Sequence, residues 1–164
     1  MGAELTDDLR SFLAVRRYAV LATHDAEGRI HLTPIWFLFE DERFYFESVS
    51  ASRKVKNLQR NPSAPVVVDR RQPGMERWVS ASGPVELLRG DEAREINARI
   101  RRRYLTPEAL GDERIEPVFA AADDVTIRLT PDEWRAWDSK DLDAAAFGGI
   151  IGATPERWFL PVER

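Results

Sequence analysis

A chain of 164 residues, 43% hydrophobic and 32% charged, has the size and composition of one globular domain, and a single domain over 1–164 is expected. The absence of cysteine excludes a thiol nucleophile, a Cys-ligated metal centre and any disulfide framework. A net charge of −4 argues against general nucleic-acid binding, and the lack of a long apolar run argues against a membrane partner, so a cytoplasmic protein is expected.

Residues 4–15 read as a short amphipathic helix, started by Thr6, Asp7 and Asp8 and carrying Leu9, Phe12 and Leu13 on one face. The period then changes to that of strands. Residues 18–23, 30–39 and 43–48 form an antiparallel meander, joined by the polar turns 24–28 and 40–42. Ser52 is the natural N-cap of a helix over 53–60, which Asn61-Pro62 stops. Strands over 65–69 and 78–88 follow, then the longest helix over 90–104, a helical turn at 116–122 and a strand over 125–129. Beyond Pro131 the tail reads as irregular, with Trp134 and Trp137 close enough in sequence to pack as one cluster. The order of elements predicts an α+β assembly, an antiparallel barrel with helices over its openings.

One segment is charged against its position. Only Lys54, Lys56 and Lys140 are lysines among the 24 basic residues, and two of them fall in Ser52-Arg-Lys-Val-Lys-Asn-Leu58. A helix start behaves like about half a positive charge, so each cation there costs roughly 0.3–1 kcal/mol. The arrangement makes sense with an anion at the helix start, where backbone N–H groups, the Ser52 hydroxyl, Arg53 and Lys54 would converge on a phosphate. An exposed basic face solvated by water is the alternative.

Tyr18-Ala-Val-Leu-Ala-Thr23, Asp25-Ala-Glu-Gly28, Pro34-Ile-Trp-Phe-Leu38 and Phe44-Tyr-Phe-Glu47, followed by Ser52-Arg-Lys54, Leu58 and Asn61-Pro62, resemble the pyridoxamine-phosphate-oxidase-like flavin-binding family and its relatives that use the deazaflavin coenzyme F420. The resemblance covers about residues 16–88. It implies a split β-barrel that forms a homodimer with its cofactor between the subunits. The phosphate would be held by Ser52, Arg53 and Lys54. The ring would lie against Thr33, Pro34, Ile35, Trp36 and Phe37, the strand edge before the phosphate loop would supply Phe46, Glu47 and Ser48, and the partner subunit would supply Trp78, Val79 and Ser80. Two departures stand out. Thr33 occupies the place of an arginine in the true oxidases, and their arginine-rich C-terminal motif has no counterpart in Trp158-Phe-Leu-Pro-Val-Glu-Arg164. The resemblance therefore implies the cofactor site without vitamin B6 oxidation.

F420 or FMN is the implied cofactor. The Pro34-Ile-Trp-Phe37 version of the ring strand, the missing oxidase tail and an arginine bias typical of GC-rich genomes place F420 ahead. The reaction class follows from the cofactor: hydride transfer to or from a small organic substrate stacked on the ring, with Trp36 and Trp78 as walls. A non-catalytic flavin carrier or sensor is the alternative. His24 and His31 are the only histidines, one in a turn and one on a strand, and no metal site is expected. Arg99, Arg101, Arg102 and Arg103 read as a solvated basic run, and Asp123-Asp124 as turn or cap residues.

Overall fold

The computed structural model describes residues 4–161; residues 1–3 and the end of the tail, 162–164, lie outside it. Helix α1 (Asp7–Ala14) is capped by Thr6, whose hydroxyl accepts from the Leu9 N–H at 3.2 Å, and it buries Leu9, Phe12 and Leu13. β1 (Ala19–His24) and β2 (Ile30–Ile35) then pair antiparallel from Ala19↔Ile35 to His24↔Ile30.

The strand expected over 30–39 is two strands. β2 stops at Ile35 and β3 (Leu38–Glu40) begins after Trp36 and Phe37. The physical reason sits on another element. Trp36 stacks on Tyr104 at 5.0 Å between ring centroids, and the Phe37 N–H donates to the Tyr104 hydroxyl at 3.2 Å instead of to a neighbouring strand. The chain thereby passes from one edge of the sheet to the other, since β3 pairs with β4 (Arg43–Val49) and not with β1.

After α2 (Arg53–Arg60), β5 (Ser63–Arg70) and β6 (Arg77–Leu88) follow, then α3 (Gly90–Tyr104) and the short turns α4 (Pro107–Leu110) and α5 (Glu116–Ala120), then β7 (Asp124–Leu129) and β8 (Glu133–Asp138). The strand order is β2-β1-β5-β6-β7-β4-β3, with β8 paired to β6. The early half of β6 lies beside β8 and its late half beside β7. Gly83 stands at that changeover because a Cβ there would lie 2.2 Å from the Thr130 carbonyl oxygen.

The tail expected to be irregular is ordered. β8 is followed by α6 (Ser139–Phe147), α7 (Ile150–Ala153) and α8 (Pro155–Trp158). Most of β8 is exposed on both faces, so it lacks the alternation that marks a strand, and its ladder to β6 holds it. Strand geometry also separates the two tryptophans, because residues three apart point to opposite faces. Trp134 packs on Phe39 and Phe44 in the core, while Trp137 lies on the outer face opposite Trp78.

The core fills the inside of the curled sheet with Leu21, Phe37, Phe44, Phe46, Val68, Val79, Ile127 and Leu129. Its two ends are plugged by different helices. α1 docks where β6 begins, with Asp8 paired to Arg77, and α2 docks where β1 ends, with the Asn57 side chain donating to Thr23 at 3.0 Å. Thus the α+β, helix-capped split barrel expected from the sequence is the fold observed.

Candidate cofactor site

The start of α2 is built around hydroxyl groups. Ser52 caps the helix from an extended backbone (φ −66°, ψ 147°), its oxygen accepting from the Val55 N–H at 3.3 Å. β4 brings Ser48 beside it, with the two hydroxyl oxygens 2.8 Å apart. No acidic residue lies in the first turn. Val55, Asn57 and Leu58 are buried, so the helix is anchored by its inner side while Arg53 and Lys56 stay exposed. Lys54 is half-buried, and among the described residues it has neither an ion-pair partner nor a hydrogen bond. Burial pulls its ammonium below the usual lysine range. A desolvated cation at a helix N-terminus is unfavourable twice over, and an anion would relieve both costs.

The other expected site residues fall into distinct places. Thr33 is half-buried on the inner side of β2, its hydroxyl 3.2 Å from His31 Nε2, and Pro34 is exposed on the outer side. Ile35 packs against the core. Trp36 presents a ring fixed on one face by Tyr104. Phe37, Phe46 and Val79 are core residues, leaving only their backbone groups for a ligand. Trp78 and Ser80 sit half-buried on β6, opposite Trp137 and Arg135 of β8. Ser48 and Ser52 are in contact, whereas the β2 and β6 groups are separated from each other by β1 and β5.

Glu47 points away from Ser48, as alternation on β4 demands, and meets α3. Its carboxylate accepts from Arg101 Nε at 2.7 Å. Arg101 also reaches Asp124 at 2.6 Å, Asn97 donates to Asp124 at 2.8 Å, and Thr126 donates to Asn97 at 2.7 Å. Arg101 is 7% exposed, and its guanidinium lies 4.3 Å over the Phe119 ring. Two readings are corrected here: Arg101 belongs to a buried network and not to a solvated run, and Asp124 opens β7 as a buried ion-pair partner and not as a turn or cap residue. The signal was present in the sequence, since Asn97 and Arg101 share the inner side of α3 with Ala93 and Ile100. Burial raises the Glu47 carboxyl above its ordinary range, with Arg101 opposing the shift.

A family model described as pyridoxamine 5'-phosphate oxidase matches residues 5–138. The chain belongs to that family. Among solved structures, a conserved hypothetical protein of Mycobacterium tuberculosis is 24% identical, with 86% of this chain and 89% of that one covered and a TM-score of 0.71. An F420 reductase is 22% identical, with 80% and 98% covered and a TM-score of 0.65. The heme storage protein HutZ of Vibrio cholerae is 19% identical, with 83% and 95% covered and a TM-score of 0.62. Such identities establish the fold of the pyridoxamine-phosphate-oxidase family and leave the chemistry to the site. No curated protein matches the sequence. None of the described helices is long and apolar enough to cross a membrane.

Proposed function

We propose that this member of the pyridoxamine-phosphate-oxidase family is an oxidoreductase that binds F420 or FMN, F420 ahead, through a phosphate at the start of α2. The observation that carries the reading is Lys54, half-buried in the first turn of the helix that Ser52 caps, with no acid in that turn to neutralise it. A phosphate fits that donor set: two hydroxyl groups, free N–H groups of the first turn, the Lys54 ammonium and the exposed Arg53 guanidinium. The tricyclic group, when bound, supplies the hydride acceptor or donor.

The chain's own share is positioning. Trp36 is held flat by Tyr104, whose hydroxyl donates to the Arg17 carbonyl at 2.5 Å and accepts from the Phe37 N–H. An aromatic surface so fixed can take a planar partner with little loss of side-chain freedom. Thr33 offers a hydroxyl where the oxidases offer a cation, which suits a site that does not need to draw a second phosphate towards β2. Ile30 and Leu32 of β2, 64% and 61% exposed, support a homodimer that covers this outer face. Size-exclusion chromatography with light scattering tests that, and a monomer would contradict it.

The functional reading is tested by titrating the protein with FMN and with F420, followed by tryptophan quenching, and then reducing the bound cofactor under anaerobic conditions. Tight binding of either, with reversible reduction and reoxidation by an acceptor, is the expected outcome. A bound cofactor that exchanges electrons with no donor or acceptor would make the protein a carrier. Binding of neither would refute the site.

A further inference from the structure

On the side of the sheet that α3 covers, a cavity of about 380 Å³ opens between α3 and the α4–α5 turns, lined by Ala98, Arg101, Leu110, Phe119, Ala120 and Asp124 among others. That volume is in the range of small-molecule sites. The cavity lies at β7, four strands from β2 in the sheet order, and so away from the outer face of β2. It is also separate from the start of α2, because Glu47 and Ser48 point to opposite sides of β4 and only Glu47 faces α3.

The floor of this cavity carries one hydrogen-bond donor and one acceptor that the protein leaves over. Asp124 takes the Arg101 guanidinium through a single oxygen: Oδ1 accepts from Arg101 Nη2 at 2.6 Å and from Asn97 at 2.8 Å. Glu47 occupies another edge of the guanidinium, accepting from Arg101 Nε at 2.7 Å. Among the described residues, Arg101 Nη1 and Asp124 Oδ2 make no hydrogen bond. Neither is one of the sealed polar atoms without a partner, which are His24 Nδ1, Arg103 Nε and Ser139 Oγ, so both still reach open space. With Arg101 and Asp124 each 7% exposed, the cavity they line is that space. A donor and an acceptor set so deep among apolar walls are costly to leave unmet.

The charges around them select a neutral ligand. The Arg101 charge is answered inside the chain, by two carboxylates. An anion would meet that surplus of acid at the floor, and a cation would meet Arg94 and Arg102, which also line the cavity together with Glu116. A lactam carries the matching pair on one edge, a carbonyl to accept and an N–H to donate. We propose that the cavity between α3 and α5 binds a small planar lactam, its carbonyl accepting from Arg101 Nη1, its N–H donating to Asp124 Oδ2, and its apolar body lying among Ala98, Leu110 and Phe119. The lactam bridges the two atoms that a doubly bonded arginine–carboxylate pair would have joined directly, so the pair stays in place and is completed.

The probes are carbostyril, a bicyclic aromatic lactam, and its N-methyl derivative, which keeps the rings and the carbonyl but has no N–H. Both are titrated calorimetrically against the full chain. Carbostyril should bind at least about tenfold tighter, since methylation removes a bond to an ionised acceptor. Asp124→Asn should abolish that preference. Because this substitution also loosens the Arg101 network, a second variant leaves the network alone: Ala98→Leu, at a half-buried helix position that leucine suits, should fill the cavity and weaken both probes at least about tenfold. Equal affinity for the two probes, tighter binding of quinaldate or of protonated aminomethylquinoline than of carbostyril, no detectable binding, or an Ala98→Leu variant that binds as the wild type does would each overturn the proposal. It stands or falls apart from the cofactor reading, because the titrations need neither FMN nor F420.

Discussion

The two cationic clusters on α2 and α3 are opposite solutions to the same problem. On α3, Arg101 is almost fully buried, yet Glu47, Asp124 and the Phe119 ring surround it. On α2, Lys54 is only half-buried, yet nothing of the described chain answers its charge. Arg101 joins β4 and β7 to the helix that covers them, so its partners are internal and its work is structural. Lys54 sits where helix polarity adds to its cost, and on the proposed reading its partner comes from outside. The contrast teaches that burial of a cation is not itself a sign of function; what marks the proposed ligand site is burial without a partner.

The largest way to break this contrast is Arg101→Met. It leaves Glu47 and Asp124 buried and unneutralised, and should cost about 3–5 kcal/mol in urea unfolding at neutral pH. The deficit should shrink in acid as the Glu47 carboxyl takes up a proton. A loss below about 1 kcal/mol would show that Arg101 is not the partner of both.

Next comes Arg53→Ala with Lys54→Ala, which should weaken FMN or F420 binding at least about tenfold and leave the fold intact, since each charge-assisted bond contributes about 1.5–3 kcal/mol. Unchanged affinity would place the phosphate elsewhere.

Lys54→Met sharpens the comparison further, because it should raise the Tm of the cofactor-free protein while lowering cofactor affinity. Removing a cation from a helix start is worth about 0.3–1 kcal/mol, or roughly 1–3 °C. The wild type, with a Lys54 whose folded pKa is depressed, should gain stability as pH rises into the lysine range, since the unfolded chain then holds more protons; Lys54→Met should lack that component. A lower Tm for the variant would mean that Lys54 already has a stabilising role in the fold.

The smallest effect is expected from Glu47→Gln, which keeps Asp124 beside Arg101. The Glu47 carboxyl is raised in the fold, so its contribution is greatest in acid and is lost as pH rises through the carboxylate range. The variant should therefore gain on the wild type between about pH 4 and 7. A variant that falls behind over that range would reverse the sign assigned to Glu47.

Much of this was legible in the sequence, for stateable reasons. The first strands, the α2 cap and the helix over 90–104 announce themselves by alternation, by Ser52 and by the Asn61-Pro62 stop, although the strands do not join into the continuous meander expected. The misplaced charge on α2 was readable because it violates a local rule, the preference of helix starts for acids. What was not legible depends on distant partners. The break at Trp36-Phe37 is caused by Tyr104, and strand β8 by an edge of β6. Arg101 stood in a run of arginines, and only its register on α3 against Glu47 and Asp124 separates it from Arg102, which is exposed. Charge runs are read correctly only once the facing strands are known.

The most direct test of a phosphate site at the start of α2 is to compare each cofactor with its phosphate-free core: FMN with riboflavin, and F420 with the deazaflavin chromophore lacking the tail. Binding would be followed by tryptophan quenching in the wild type and in the Arg53→Ala, Lys54→Ala double variant. The account predicts at least about tenfold preference for the phosphate-bearing form in the wild type. It predicts that this preference collapses in the variant while binding of the core is unchanged. Equal binding of cofactor and core by the wild type would contradict it.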